Sequence, residues 1–379
     1  MPAVDGKWSL WLTLVLGCAP TIPADYARYE AVAEAATARR DHGSAAAAWA
    51  NAAAVAETET DRQEAVYRQA TSALRAGDTA THQRLLTSLA QSPGSRRERA
   101  VYDLATAEFN RDPPSGRVAL RAAILEFPSS GLARAALERW VGSLDVQERS
   151  AALAALLPKI DDPALRERIL VLRAHSFEAI GDTEQALQVY EQQVAEFPYP
   201  RGRYWDESLL RISVLHYRRG DVSRAVATLE SMLSFRERAT IVGSYERRYA
   251  DATLLLAYHL LRDVPSPDTS ASTPAHVGWA RAYGLLRRFP SEHPDSRHQD
   301  DALWAALLLS NAQQLKEQTC DAAATLIAGW PDSRYSPCAV HYCPAAKAEG
   351  TCRPYVISGR NSARATLEIV LRKVLEPPK

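Results

Sequence analysis

An aromatic residue followed by proline recurs along this chain, each time closing a stretch rich in helix-forming residues. Phe127-Pro128 ("LEFPSS"), Phe197-Pro198 ("AEFPYP"), Phe289-Pro290 ("RRFPSEHPDS") and Trp330-Pro331 ("AGWPDSRYSP") are the clear instances. Proline has no N–H to continue a helix, and it pushes the preceding residue out of the α region. Each landmark therefore ends one helix, and a Ser or Asp behind it is placed to cap the next. Weaker landmarks fall at Ser92-Pro93, Leu157-Pro158 and Phe235. The spacing is roughly 30 to 40 residues with one longer interval, the period of a helix–turn–helix array. A single unit of this kind cannot bury its apolar face alone, so stacking builds the core.

A second mark lies between the landmarks. In "ILVLRAHSFEAIGDTEQALQVYEQQVAEFP" (169–198), one helix runs to Ile180 and Gly181-Asp182 turns the chain into the next. Gly supplies the left-handed conformation that ends a helix. Ala186 is small enough for close approach, and Tyr190 and Phe177 fill the space between the two helices. The stretch "SLLRISVLHYRRGDVSRAVATLESML" (208–233) repeats this with Gly220-Asp221, Ala225 and Leu229. Val, Ile and Thr never gather into alternating runs, which favours helices over strands. A non-repeating bundle is the bland alternative, and the recurring turns and terminators argue against it.

These two units resemble the tetratricopeptide (TPR) repeat. Ala174, Phe177, Gly181, Ala186, Tyr190 and Pro198 fall on the signature positions in the first, and Ser213, His216, Gly220, Ala225 and Leu229 in the second. Residues 39–57 and 73–89 look like degenerate earlier copies. The fold class this implies is all-α: an α-solenoid of TPR-like helix-turn-helix repeats over 26–337. A polar Pro/Ser/Thr-rich loop at 263–276 interrupts one unit, and a Cys-rich loop spans 338–360. Residues 361–379 form a C-terminal capping helix, with Leu367, Val370, Leu371 and Val374 on one face.

The start of the chain bears on location. Trp8 to Gly17 is too short for a membrane span, which needs about 20 apolar residues, and fits the apolar core of a secretory signal. It ends in Val15-Leu16-Gly17-Cys18, which resembles the lipobox of bacterial lipoproteins. That resemblance implies a signal peptide over 1–17, lipid attachment at Cys18 and a tether over 18–25, converting a secreted chain into an anchored one. An ordinary secretion signal and a buried first helix are the alternatives. Ala19, rather than Asp, after the Cys leans towards the outer membrane, periplasmic face.

Four cysteines remain: Cys320, Cys338, Cys343 and Cys352. Outside the cytoplasm an even number suggests two disulfides, with three possible connectivities. Cys320–Cys338 with Cys343–Cys352 is the favoured pairing, since the first clamps the last repeat helix and the second closes "CPAAKAEGTC". Zinc held with His341 is the rival, but the spacing lacks close Cys-x₂-Cys pairs.

Lys+Arg and Asp+Glu both number 45, which argues against nucleic acid as a partner. The sequence offers no phosphate-binding loop, metalloprotease motif or nucleophile elbow, so no cofactor, metal or small-molecule substrate is expected. Glu207-Ser208 resembles the catalytic Glu-Ser of lytic transglycosylases, but that family's downstream Gly-Leu-Met-Gln segment is missing. His175 and His216 read as packing or surface residues. In a TPR array the first helix of each pair lines the concave side. The resemblance thus implies a partner-binding groove of Arg168, Val171, His175, Glu178 and Ala179 in one unit. The next contributes Glu207, Leu210, Val214, Tyr217 and Arg218, facing a protein or peptide partner. The aromatic-Pro-x-Ser terminators are similar to those of outer-membrane assembly lipoproteins and the Tol-Pal-associated repeat protein. The function this implies is a non-enzymatic scaffold of the cell envelope. A cell-wall glycosidase and a peptidoglycan-binding spacer are the alternatives.

Overall fold

A computed structural model describes residues 24–235, 244–262 and 274–377. Among these residues every regular element is helical. Consecutive helices pack on one another, joined by turns too short to allow anything but antiparallel neighbours. The chain divides into two compact units, one ending at Ser143 and one beginning at Leu144. The array expected over 26–337 is thus parted between two bodies. The signal peptide, Cys18 and most of the 18–25 tether lie outside the described residues. No described helix is long and apolar enough to cross a membrane.

The N-terminal unit comprises α1 (Ala24–Ala38), α2 (His42–Val55), α3 (Glu59–Arg75), α4 (Thr79–Gln91), α5 (Arg97–Arg111), α6 (Pro113–Glu126) and α7 (Ala133–Gly142). Its core is built largely from alanine, with Ala33, Ala52 and Ala65 fully buried around Tyr26 and Trp49. Small side chains at the crossings let the helix axes approach closely.

The C-terminal unit begins with α8 (Val146–Leu156), α9 (Pro163–Ala179), α10 (Thr183–Glu196), α11 (Trp205–Arg218) and α12 (Val222–Ser234). It continues with α13 (Ser244–Leu260), α14 (Pro274–Glu292), α15 (Gln299–Ala312) and α16 (Lys316–Gly329). The short helices α17 (Ser336–Ala339), α18 (Pro354–Gly359), α19 (Ala363–Val370) and α20 (Arg372–Leu375) complete it. Ala174, Ala186, Tyr190, Ala225 and Leu229 are all fully buried, as the repeat reading requires of its signature positions.

The hairpin turns share one geometry. The N–H two residues past the helix bonds back five residues, from Asp182 to Phe177 O and from Asp221 to His216 O, each at 2.9 Å. Gly181 and Gly220 sit at φ +81° and +86°, and Asp182 and Asp221 then cap the next helix through Gln185 N and Arg224 N. Two further turns adopt the same closure without glycine, placing Arg40 at φ +60° and Gln314 at φ +58°. The composition gave no hint of these.

The aromatic-Pro terminators behave as predicted at Phe127, Phe197 and Trp330, which are the C-caps of α6, α10 and α16. The fourth differs. Helix α14 runs through Pro290 to Glu292, and the matching break falls one turn later at His293-Pro294, where His293 N bonds to Phe289 O at 2.8 Å. Pro290 sits in the final turn, where the loss of one donor is tolerated. Ser130, Ser296 and Ser333 follow three of these breaks, and their hydroxyls accept from the backbone two residues on.

Three expectations for the C-terminal end need correction. The 338–360 segment is not wholly loop: α17 and α18 form there, each with Pro in its first turn, where the missing N–H costs nothing. The disulfides are Cys320–Cys343 and Cys338–Cys352, not the pairing favoured on sequence. The chain doubles back after Trp330, so Cys343 returns to α16 while buried Cys338 faces Cys352. With all four sulfurs paired, none is a thiolate for zinc, and no metal-holding cluster occurs among the described residues. Finally, the 361–377 segment is two helices separated at Leu371, not one cap on the end of the array. The polar loop expected over 263–276 ends earlier, because α14 already begins at Pro274; residues 263–273 lie outside the described residues.

Candidate partner-binding groove

Helices α11, α13 and α15 are the first helices of successive hairpins, and α11 also contacts α13 directly. Their shared face is occupied by the chain itself. Helix α19 packs on α13 and α15, and α20 packs on α11. The seated residues are Ala363, Leu367 and Leu371, at 5%, 0% and 1% exposure, with Val370, Val374 and Leu375 packed beside them. Full burial of one such leucine contributes about 1.5–3 kcal/mol. Helix α11 is consequently buried along almost its whole length, charged residues included.

Polar contacts fix the ends of this strap. Asp301, buried on α15, receives Arg360 at 2.8 Å, Arg334 at 3.2 Å and His298 at 2.9 Å, and it accepts from the Tyr335 hydroxyl. Trp304 Nε1 donates to Arg360 O at 3.2 Å, so the strap is pinned just before α19. At the far end the Arg211 guanidinium donates to Val374 O and Glu376 O, and Arg218 donates to Leu375 O. Between them Arg364 reaches back from the strap to the Tyr217 hydroxyl at 2.9 Å.

Arg211 holds a second partner. It forms an ion pair with Glu178, whose side chain is fully buried, and Tyr190 donates its hydroxyl to the same carboxylate at 2.7 Å. Arg218 approaches that carboxylate at 3.8 Å. Two guanidiniums thus share one carboxylate, and the C-terminal carbonyls of α20 supply the remaining negative end. Free carbonyls at a helix C-terminus carry a partial negative charge suited to this. Burial, with the charge of neighbouring Arg211, lowers the Arg218 pKa.

The predicted groove residues separate into two sets. Val171, Leu210 and Val214 are at most 1% exposed and pack inside the unit, unavailable to a partner, while Ala179 is exposed. Glu178, Tyr217 and Arg218 do converge, around Arg211. Residues Arg168, His175 and Glu207 form a separate half-buried cluster. The Arg168 guanidinium lies over the Tyr204 ring, and Glu207 sits 3.6 Å from His175 and 3.3 Å from Arg248. Sequence reasoning missed Arg211, Arg360, Arg364 and the strap. Arg211 left one signal: a cation inside the apolar run "LLRISV" has to be paired where it is buried.

Glu207 was the one candidate for acid catalysis. Burial acts to raise its carboxyl, but the His175 ring and the Arg248 charge outweigh it and hold the pKa below the usual carboxylate range. A glycosidase general acid needs the opposite shift. Burial does raise Asp206, but consecutive helical residues do not face one another, so the two make no acid–base dyad.

No protein-family model matches the chain, and neither does any of the curated proteins compared with it. Among solved structures it is similar to the crystal structure of the P58(IPK) TPR domain, at 14% identity over 93% of this chain and 96% of that one, with a TM-score of 0.27.

Proposed function

We propose that this chain is a non-enzymatic protein-interaction scaffold of the bacterial cell envelope, anchored through lipidated Cys18 on the periplasmic face of the outer membrane. The observation that carries the scaffold reading is the seated strap: the face of α11, α13 and α15 receives an amphipathic helical segment and fixes its end with two arginines. A surface that does this for one helix is chemically fitted to do it for another. The envelope and anchor reading is supported by the apolar stretch ending in Val15-Leu16-Gly17-Cys18 and by four cysteines arranged as disulfides, which persist in oxidising compartments.

Two experiments test the reading. Cys18→Ser should move the protein from the membrane fraction to the soluble envelope fraction; unchanged fractionation defeats the anchor. Pull-down from solubilised membranes should lose its partner when Tyr217→Ala is combined with Arg218→Glu. A partner retained equally by both forms defeats the groove assignment.

A further inference from the structure

The strap reads its groove mainly through backbone. Arg211 and Arg218 bind the carbonyls of Val374, Leu375 and Glu376, and Trp304 binds that of Arg360. These contacts would be the same for any sequence placed there in the same conformation. Side-chain recognition is confined to a simple pattern: apolar residues at 363, 367, 371 and 374, and one basic residue, Arg364, on Tyr217. The outer face of the strap is open, with Glu368, Ile369, Arg372 and Lys373 exposed. Its helices are short, with eight and four residues, so neither is stable away from this surface.

Resting on the scaffold reading, we propose that the strap is an intramolecular occupant of a receptor site, and that the site's external partner is a short amphipathic protein helix docked by its C-terminal end. The partner helix carries apolar residues at i, i+4 and i+8 and ends in free carbonyls at Arg211 and Arg218. It binds only when α19–α20 lift away, hinging after the Arg360–Asp301 pin and the two disulfides, which keep the base of the strap fixed. The tethered strap competes at an effective concentration in the millimolar range. Apparent affinity for the partner is reduced by the fraction of molecules whose groove is open.

The test uses purified full chain and a fluorescent synthetic peptide of residues 361–377. Leu371→Asp in the chain weakens the resident strap while the peptide keeps the native sequence. Anisotropy titration should show the peptide binding the Leu371→Asp chain about tenfold or more tightly than wild type. Adding Arg218→Glu should reverse that gain. A Leu371→Asp chain that keeps its helical circular dichroism yet fails to bind the peptide overturns the proposal. Should that variant not fold, hydrogen exchange on the wild type decides. Amides of 363–375 should exchange about tenfold or more faster than those of 208–216, whereas equal protection makes the strap part of the cooperative core and overturns the proposal. The peptide titration involves no membrane or cellular partner, so a failed fractionation or pull-down defeats the scaffold reading and leaves this result standing.

Discussion

His259 makes the C-terminal unit acid-sensitive in a way the structure quantifies. The ring is 1% exposed and stacks on Tyr217, with centroids 4.2 Å apart. Nε2 lies 3.0 Å from Ser213 Oγ. The Ser213 hydroxyl proton is committed to Ala225 O, also at 3.0 Å, so Nε2 must be the donor. Nδ1 is then a bare lone pair, buried with no partner. Protonating it creates a cation that no acceptor meets. Burial, reinforced by the charges of Arg364 and Arg262, lowers the pKa from 6.5 to about 3. Below pH 6.5 the unfolded chain takes up a proton that the folded one refuses, so stability present above that pH is lost as pH falls towards 3. Between pH 7 and pH 5 this single group costs about 2 kcal/mol. Urea unfolding of wild type and His259→Phe, run in parallel at both pH values, isolates it, because the substitution keeps the aromatic stack and removes the titration. Wild type should lose about 2 kcal/mol more than the variant. Parallel losses within about 0.5 kcal/mol would refute both the tautomer and the burial argument.

Other consequences follow from single sites. A Cβ at residue 181 meets nothing within 4 Å, so Gly181→Ala tests conformation alone; it should cost about 1 kcal/mol in urea unfolding, while Gln314→Gly should gain about 0.5–1 kcal/mol. Both changes having the same sign would contradict the shared turn geometry. Arg211→Met strands the buried Glu178 carboxylate and should cost about 3–5 kcal/mol, whereas the double variant with Glu178→Leu should lose less than Arg211→Met alone; additive losses would contradict the pairing. Non-reducing peptide mapping should recover Cys320 linked to Cys343 and Cys338 linked to Cys352, and the alternative pairs would refute the doubled-back path after Trp330.

Local signals were legible where a residue type is close to obligatory. Gly181, Gly220 and their Asp caps announce the turns, because few other residues sit comfortably at positive φ and few cap as well. Phe127, Phe197 and Trp330 announce helix ends for the same kind of reason. Arg40 and Gln314 escaped notice because tertiary packing imposes on them a conformation their side chains do not favour. His293-Pro294 escaped because Phe289-Pro290, one turn earlier, carries the stronger composition signal. The groove was misjudged by helical phase: successive residues differ by about 100°, so choosing Leu210 instead of Arg211 turned the face inward. The position of the strap had no local signature. An apolar face at Leu367 and Leu371 fits a terminal cap as well as a groove, and only the three-dimensional path after the disulfides separates the two.

The central claim is that the strap, rather than solvent, lies against Arg218 when no partner is present. Replacing Arg218 with a photoreactive benzophenone amino acid and irradiating the purified chain tests this directly, with the cross-linked peptides identified by mass spectrometry. The account predicts that the dominant product joins position 218 to residues 361–377 of the same molecule. A product set lacking that segment would contradict it.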